Sequence, residues 1–260
     1  MLPNYDSRPI QEIKLPVSKD ILKVKPYTVA QEQIVLESMV DLSNKSEFLI
    51  NIKRILEANI TSEYNIDDMF LIDLIYLNLK LRSISKSEMI EYQIQCDNNE
   101  CEQFNKPQKC VDEVEDIIFV KNSEKCKKIV KIDDKLTIEL QPVKLDFVDY
   151  LASKTDSKID IDNDSDERID KILIKETLEL ALVNIAYSIK KVIFEGKVFN
   201  EFTIEELLEK ILSQLTEAQI QDLQKEKNDM ANLYLKIRKK CESCGKIFER
   251  VEDDFFVFLT

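Results

Sequence analysis

The sequence predicts an α+β fold, mostly helical, with a small antiparallel sheet in the middle of the chain. Three observations predict it. Apolar residues recur at helical spacing over 28–81 and again beyond 171; between Glu91 and Leu140 the period switches to two; and two cysteine pairs far apart in sequence are spaced to staple the sheet to the C-terminal end. With 260 residues, 44% of them hydrophobic and 33% charged, the chain can bury a substantial core in one or two domains.

Residues 1–25 read as an arm punctuated by Pro3, Pro9 and Pro16, in which Ile13, Leu15 and Val17 alternate as an edge strand. Residues 26–90 read as a helical bundle. Thr28 and Gln31 match a capping box, and the helix that follows carries Ile34, Val35, Met39, Val40 and Leu42 near one face. Phe48, Leu49, Ile52, Ile55 and Leu56 mark a second helix. A third, over 66–81, is apolar almost all round and therefore belongs at a centre. Arg82 at its end is expected to satisfy carbonyls or a carboxylate.

Residues 91–152 carry the β pattern. Tyr92, Ile94 and Cys96 share a face, three further short strands lie at 117–120, 129–132 and 136–140, and Asp133-Asp134 supplies a hairpin turn before Pro142. Residues 153–170, dense in Asp, Ser and Lys, read as a solvated acidic linker. A calcium loop over Asp160, Asp162, Asp164 and Asp166 lacks the glycine and glutamate that an EF-hand requires.

Residues 171–240 read as a second helical region. The stretch 172–192 is strongly apolar, Thr203 with Glu206 and Thr216 with Gln219 form capping boxes, and the last helix runs through Leu223, Leu233 and Ile237 into Cys241. On that reading Arg238-Lys239-Lys240 is a basic last helical turn complementing the helix dipole. Residues 241–260 then form a knuckle, a short strand at 247–251 and an aromatic tail packing on the β region. Phe255, Phe256 and Phe258 in that tail are candidates for core packing or for anchoring a partner.

The cysteines carry the chemistry. Cys241-Glu-Ser-Cys244-Gly245 has the spacing of half a zinc site, with glycine free to take a positive φ, and Cys96 with Cys101 supplies the other half. Four thiolates close a tetrahedron, which makes the ion structural rather than catalytic. Zero histidines remove the imidazole bases and ligands that triad hydrolases and zincins need. Two glycines, Gly196 and Gly245, cannot form a phosphate loop or a dinucleotide fingerprint. The residues thus point to no enzyme. A net charge of −13 without a basic stripe disfavours nucleic acid, and no segment reads as a signal peptide or membrane span. The expected setting is a reducing cytosol, where spaced cysteines favour metal over disulfide.

The order of several short motifs resembles the baseplate hub assembly proteins of contractile-tailed bacteriophages. The residues are Pro26-Tyr27-Thr28-Val29 before Gln31, then Asp73, Leu81-Arg82-Ser83-Ile84-Ser85, Cys96 with Cys101, and Cys241-x-x-Cys244-Gly245 followed by Phe255-Phe256. The resemblance implies a late phage protein that builds the central hub through contacts with other hub or tail proteins, in the host cytoplasm and then in the virion tail. Whether it acts as subunit or chaperone, and its oligomeric state, stay open. Two departures stand out: four residues separate Cys96 from Cys101, so Cys110 or Cys126 is an alternative ligand, and the acidic linker is long. A zinc-ribbon adaptor on a transcription or other host complex is the alternative function.

Overall fold

A computed structural model describes residues 6–40, 45–85, 89–155 and 179–252. Eleven strands in four sheets stand among them, so the protein is a β-rich α+β fold and not the mostly helical one that its periodicity predicts. Two stretches read as helical account for part of the difference. Ile189–Phe194 and Asn232–Lys240 are strands where helices are expected. A short apolar run looks alike in a buried strand and a buried helix, and only the partner strands decide between them. The chain folds as two compact units, one from the described residues within 1–64, 73–121 and 233–260, the other from those within 65–72 and 122–232.

The first unit opens with a hairpin of β1 (Gln11–Lys14) and β2 (Ile21–Val24), Ile13 facing Leu22 across it. Ile13, Leu15 and Val17 are buried as the alternation predicts. α1 (Val29–Val40) begins at the expected capping box: Gln31 N–H donates to Thr28 Oγ1 at 3.2 Å, and Thr28 N–H to Gln31 Oε1 at 3.0 Å. Val35 on it is buried, but Ile34 is exposed, and Leu42 lies outside the described residues. α2 (Lys45–Asn59) buries Leu49, Ile52, Ile55 and Leu56 at helical spacing. α3 (Leu71–Ser85) buries Leu74, Leu77, Leu79 and Leu81 completely. Each such leucine contributes roughly 1.5–3 kcal/mol. Arg82 in its last turn is half-buried; burial pulls its pKa down, and the charge of Glu32 opposes this.

Polar groups lock these pieces. The buried Asp73 carboxylate accepts the Val17 and Ser18 N–H groups at 2.8 and 2.9 Å, tying α3 to the chain between β1 and β2. Arg8 donates to Pro26 O at 2.7 Å and to Asn59 Oδ1 at 2.6 Å, joining the arm to the end of α2. β3 (Met89–Gln95) and β4 (Pro107–Glu113) then form an antiparallel ribbon, followed by one turn of helix, α4 (Val114–Ile117), and β5 (Ile118–Lys121).

The second unit contains a four-stranded antiparallel sheet. β6 (Lys128–Lys131) and β7 (Leu136–Leu140) are joined by the expected turn, where Asp133 Oδ1 accepts the Lys135 and Leu136 N–H groups, both at 2.7 Å. α5 (Asp146–Thr155) follows and takes in Ser153–Thr155 of the expected linker. The rest of that linker, including Asp160, Asp162, Asp164 and Asp166, lies outside the described residues. α6 (179–186) leads into β8 (Ile189–Phe194), which pairs with β7, and β9 (Lys197–Phe199) completes the sheet. α7 (Ile204–Lys210) and α8 (Glu217–Asn228) start at complete capping boxes on Thr203 and Thr216, as their sequences predict. Leu136, Ile138 and Leu140 pack with Ile185, Ile189, Leu207 and Leu223 in the core of this unit.

The chain then returns to the first unit as β10 (Asn232–Lys240), hydrogen-bonded between β5 and the last strand, β11 (Ile247–Glu252). The strands over 89–140 therefore divide among three sheets and do not form the single small sheet that was expected. Arg238-Lys239-Lys240 is part of a strand, not a helix terminus. Alternation exposes Arg238 and Lys240, while Lys239 pairs with Asp112.

Candidate metal centre

Two turns of the first unit bring four cysteines together. The first leaves the end of β3: Cys96 bridges Phe104, the Asn105 N–H returns to Cys96 O at 2.9 Å, and Cys101 N–H donates to Asn98 O at 2.9 Å. The second joins β10 to β11. Gly245 N–H donates to Cys241 O at 2.9 Å and Cys241 N–H to Lys246 O at 2.8 Å, with Gly245 at φ +73° as this tight turn requires.

The Sγ atoms of Cys96, Cys101, Cys241 and Cys244 all lie within 4.8 Å of one another. Cys96 to Cys244 and Cys101 to Cys241 are both 3.8 Å. Thiolates about 2.3 Å from a tetrahedral ion stand about 3.8 Å apart, so these two separations match a four-coordinate site and the others come within about 1 Å of it. Cys96, Cys101 and Cys241 are buried, and Phe248 packs against them. Cys110 and Cys126, the alternative ligands, are elsewhere. Cys110 is half-buried on β4, where burial raises its thiol, and the Cys126 thiol donates to Ser123 O at 3.2 Å.

Each sulfur also receives a backbone N–H from the residue two positions on: Asn98 to Cys96, Gln103 to Cys101 at 3.4 Å, Ser243 to Cys241, and Lys246 to Cys244. Such donors favour thiolate and orient it. The Gln108 amide, 3.5 Å from Cys241 Sγ, is the main reason that this thiol is drawn down to about 6, with the Cys244 and Ser243 N–H groups adding to it. Cys244 is lowered chiefly by the Lys246 N–H. Burial raises Cys96. For Cys101 the Gln103 N–H acts downward, but burial and the other three thiols push it up to about 12. Four adjacent thiols cannot all ionise unaided, and a cation among them removes that conflict. Lys246, paired with Asp97 at 2.9 Å, adds positive charge nearby. Gln108, Asn98 and Lys246 carry no ligand signal in the sequence; only the returning β4 and the knuckle turns give them their roles.

A family model described as T4 bacteriophage base plate protein matches residues 8–257. The chain belongs to that family. No curated protein and no solved structure matches it. The match takes in both halves of the cysteine cluster, and membership gives this baseplate protein a structural place in the phage tail. Among the described residues of the baseplate protein, no helix is long and apolar enough to cross a membrane. Phe255, Phe256 and Phe258 lie outside the described residues.

Proposed function

We propose that this baseplate protein is a subunit or assembly chaperone of the tail hub, acting by contacts with other hub and tail proteins and turning over no substrate. The observation that carries this reading is the family match across residues 8–257. Its place would be the host cytoplasm during assembly and the tail baseplate thereafter. Within it, Cys96, Cys101, Cys241 and Cys244 hold a structural zinc ion. An all-sulfur donor set at tetrahedral spacing suits zinc, and four protein ligands leave no position for substrate or water. Bound there, zinc supplies a cross-link between the end of β3 and the β10–β11 turn. Ligands from distant segments make that binding part of the folding free energy. Phe255, Phe256 and Phe258 are the proposed aromatic anchor for a partner subunit.

The test is co-expression of the tagged chain with the tail gene products of its phage, alongside a phage lacking the gene. Hub proteins should be captured and the mutant phage should fail to make complete tails. Deleting 253–260 should weaken capture while the melting temperature holds. Capture of no tail protein, together with normal infectious particles from the mutant, would end the hub reading.

A further inference from the structure

The sheet of order β11-β10-β5 has a covered face and an open one. Leu233, Leu235 and Ile237 of β10 are buried, and between and beyond them Lys236, Arg238 and Lys240 are exposed. Cross-strand partners share a face, and the register sets Lys236 beside Val251, Arg238 beside Glu249 and Lys240 beside Ile247. Val251 and Ile247 are 55% and 53% exposed. On β5, Phe119 is 52% exposed and Lys121 is exposed as well. The open face thus carries cations and bare apolar side chains around a single carboxylate of β11, Glu249.

Its charge runs against the rest of the chain. With 50 acidic residues against 37 basic ones, a surface cation here ordinarily has a carboxylate within reach. Glu249 ion-pairs with Lys236 at 2.9 Å and also feels the charge of Arg238. Among the described residues, Lys121, Arg238 and Lys240 make no ion pair. Three cations of β10, Lys236, Arg238 and Lys240, thus share one carboxylate, Glu249, beside the exposed Ile247 and Val251. Exposed apolar side chains among an excess of charge of one sign suit a docking surface for the opposite sign.

We infer that this face docks an acidic segment of another polypeptide, its carboxylates meeting Lys121, Arg238 and Lys240 while its apolar side chains cover Phe119, Ile247 and Val251. The inference rests on the protein-contact reading above and names the surface and the partner chemistry. A nucleic acid fits less well, because the chain's net −13 repels a continuous phosphate backbone, whereas a short acidic segment can confine its charge to these cations.

Carbodiimide coupling tests this directly, since it joins an amine to a carboxylate only where the two touch. The complex of the full chain with co-expressed tail proteins is coupled, digested and read by mass spectrometry. Lys121, Lys236 or Lys240 should be found joined to Asp or Glu of a tail protein. The double variant Lys121→Glu with Arg238→Gln, both exposed strand positions outside the cysteine cluster, should keep its metal content and melting temperature yet bind at least tenfold more weakly. A complex that forms with coupling confined to other lysines overturns this inference alone. Coupling to a second, isotope-labelled copy of the chain overturns it in favour of self-association. Binding of a DNA oligonucleotide that the double variant loses overturns it in favour of nucleic acid. Failure of any complex to form sinks the hub reading and this inference together.

Discussion

Asp73 shows how one side chain organises its surroundings. Burial raises its pKa, and the Ser18 and Val17 N–H groups work against that rise by donating to it. Asp73→Ala should destabilise the protein by about 1–3 kcal/mol, because the buried Val17 N–H loses its acceptor. Asp73→Asn, which keeps one acceptor oxygen, should cost less. Urea unfolding of the two variants checks the order, and equal midpoints would show that the contact is incidental. Asp6 titrates in the opposite sense. Arg8 first and Lys25 second hold its carboxyl well below the ordinary 3.8. The unfolded chain therefore binds that proton more readily than the folded one. The stabilisation is present above the unfolded value and is lost as pH falls through the folded one. A carbon-13 titration of the Asp6 carboxyl should give a midpoint below 3.8; a midpoint at or above it removes the Arg8 clamp from consideration.

At the scale of elements, the two glycines separate backbone strain from crowding. Both have positive φ, +79° at Gly196 and +73° at Gly245, but an added Cβ meets nothing within 4 Å at Gly196 and lies 3.2 Å from Lys240 Cε at Gly245. The left-handed conformation alone costs an alanine about 1–2 kcal/mol. Gly196→Ala should lower thermal stability by that amount without touching metal content. Gly245→Ala should in addition weaken metal retention, since its turn sets the Cys241 and Cys244 sulfurs. Melting curves with and without a competing chelator distinguish the two, and equal chelator sensitivity would mean that the turn does not tune the site. Capping is a separate lever: Thr203→Ala removes the acceptor for the Glu206 N–H and should cost about 0.5–2 kcal/mol by calorimetry.

At the scale of the whole molecule, the cysteine cluster ties residues 140 or more positions apart, Cys101 to Cys241 and Cys96 to Cys244. If zinc sits there, protein purified without chelator should carry one equivalent by elemental analysis. Stripping the metal should lower the melting temperature, and adding zinc back should restore it. Cys244→Ser should behave as the stripped protein whatever metal is supplied. Metal-free protein with the same melting temperature as the untreated sample would refute the staple.

What the sequence determined by itself is whatever a few neighbouring residues can settle. Three capping boxes, the Asp133 turn, the positive φ of Gly245 and the pairing of each close cysteine couple need contacts over two to five positions, and the side-chain chemistry of those positions is enough. The absence of histidine likewise restricts the soft metal donors to sulfur before any fold is known. Tertiary structure alone decided that Asn232–Lys240 is a strand, since its hydrogen bonds go to β11 and to β5, the latter more than a hundred residues earlier. Helical spacing carried over from Leu223 obscured the alternation of Leu233, Leu235 and Ile237. That one pairing turned a presumed basic helix end into a strand with exposed cations and drew β5 into a sheet with β10 and β11. Backbone pairing between distant segments leaves almost no mark on either segment alone, because each strand offers the same N–H and C=O groups to any partner, and only the assembled fold selects which one it meets.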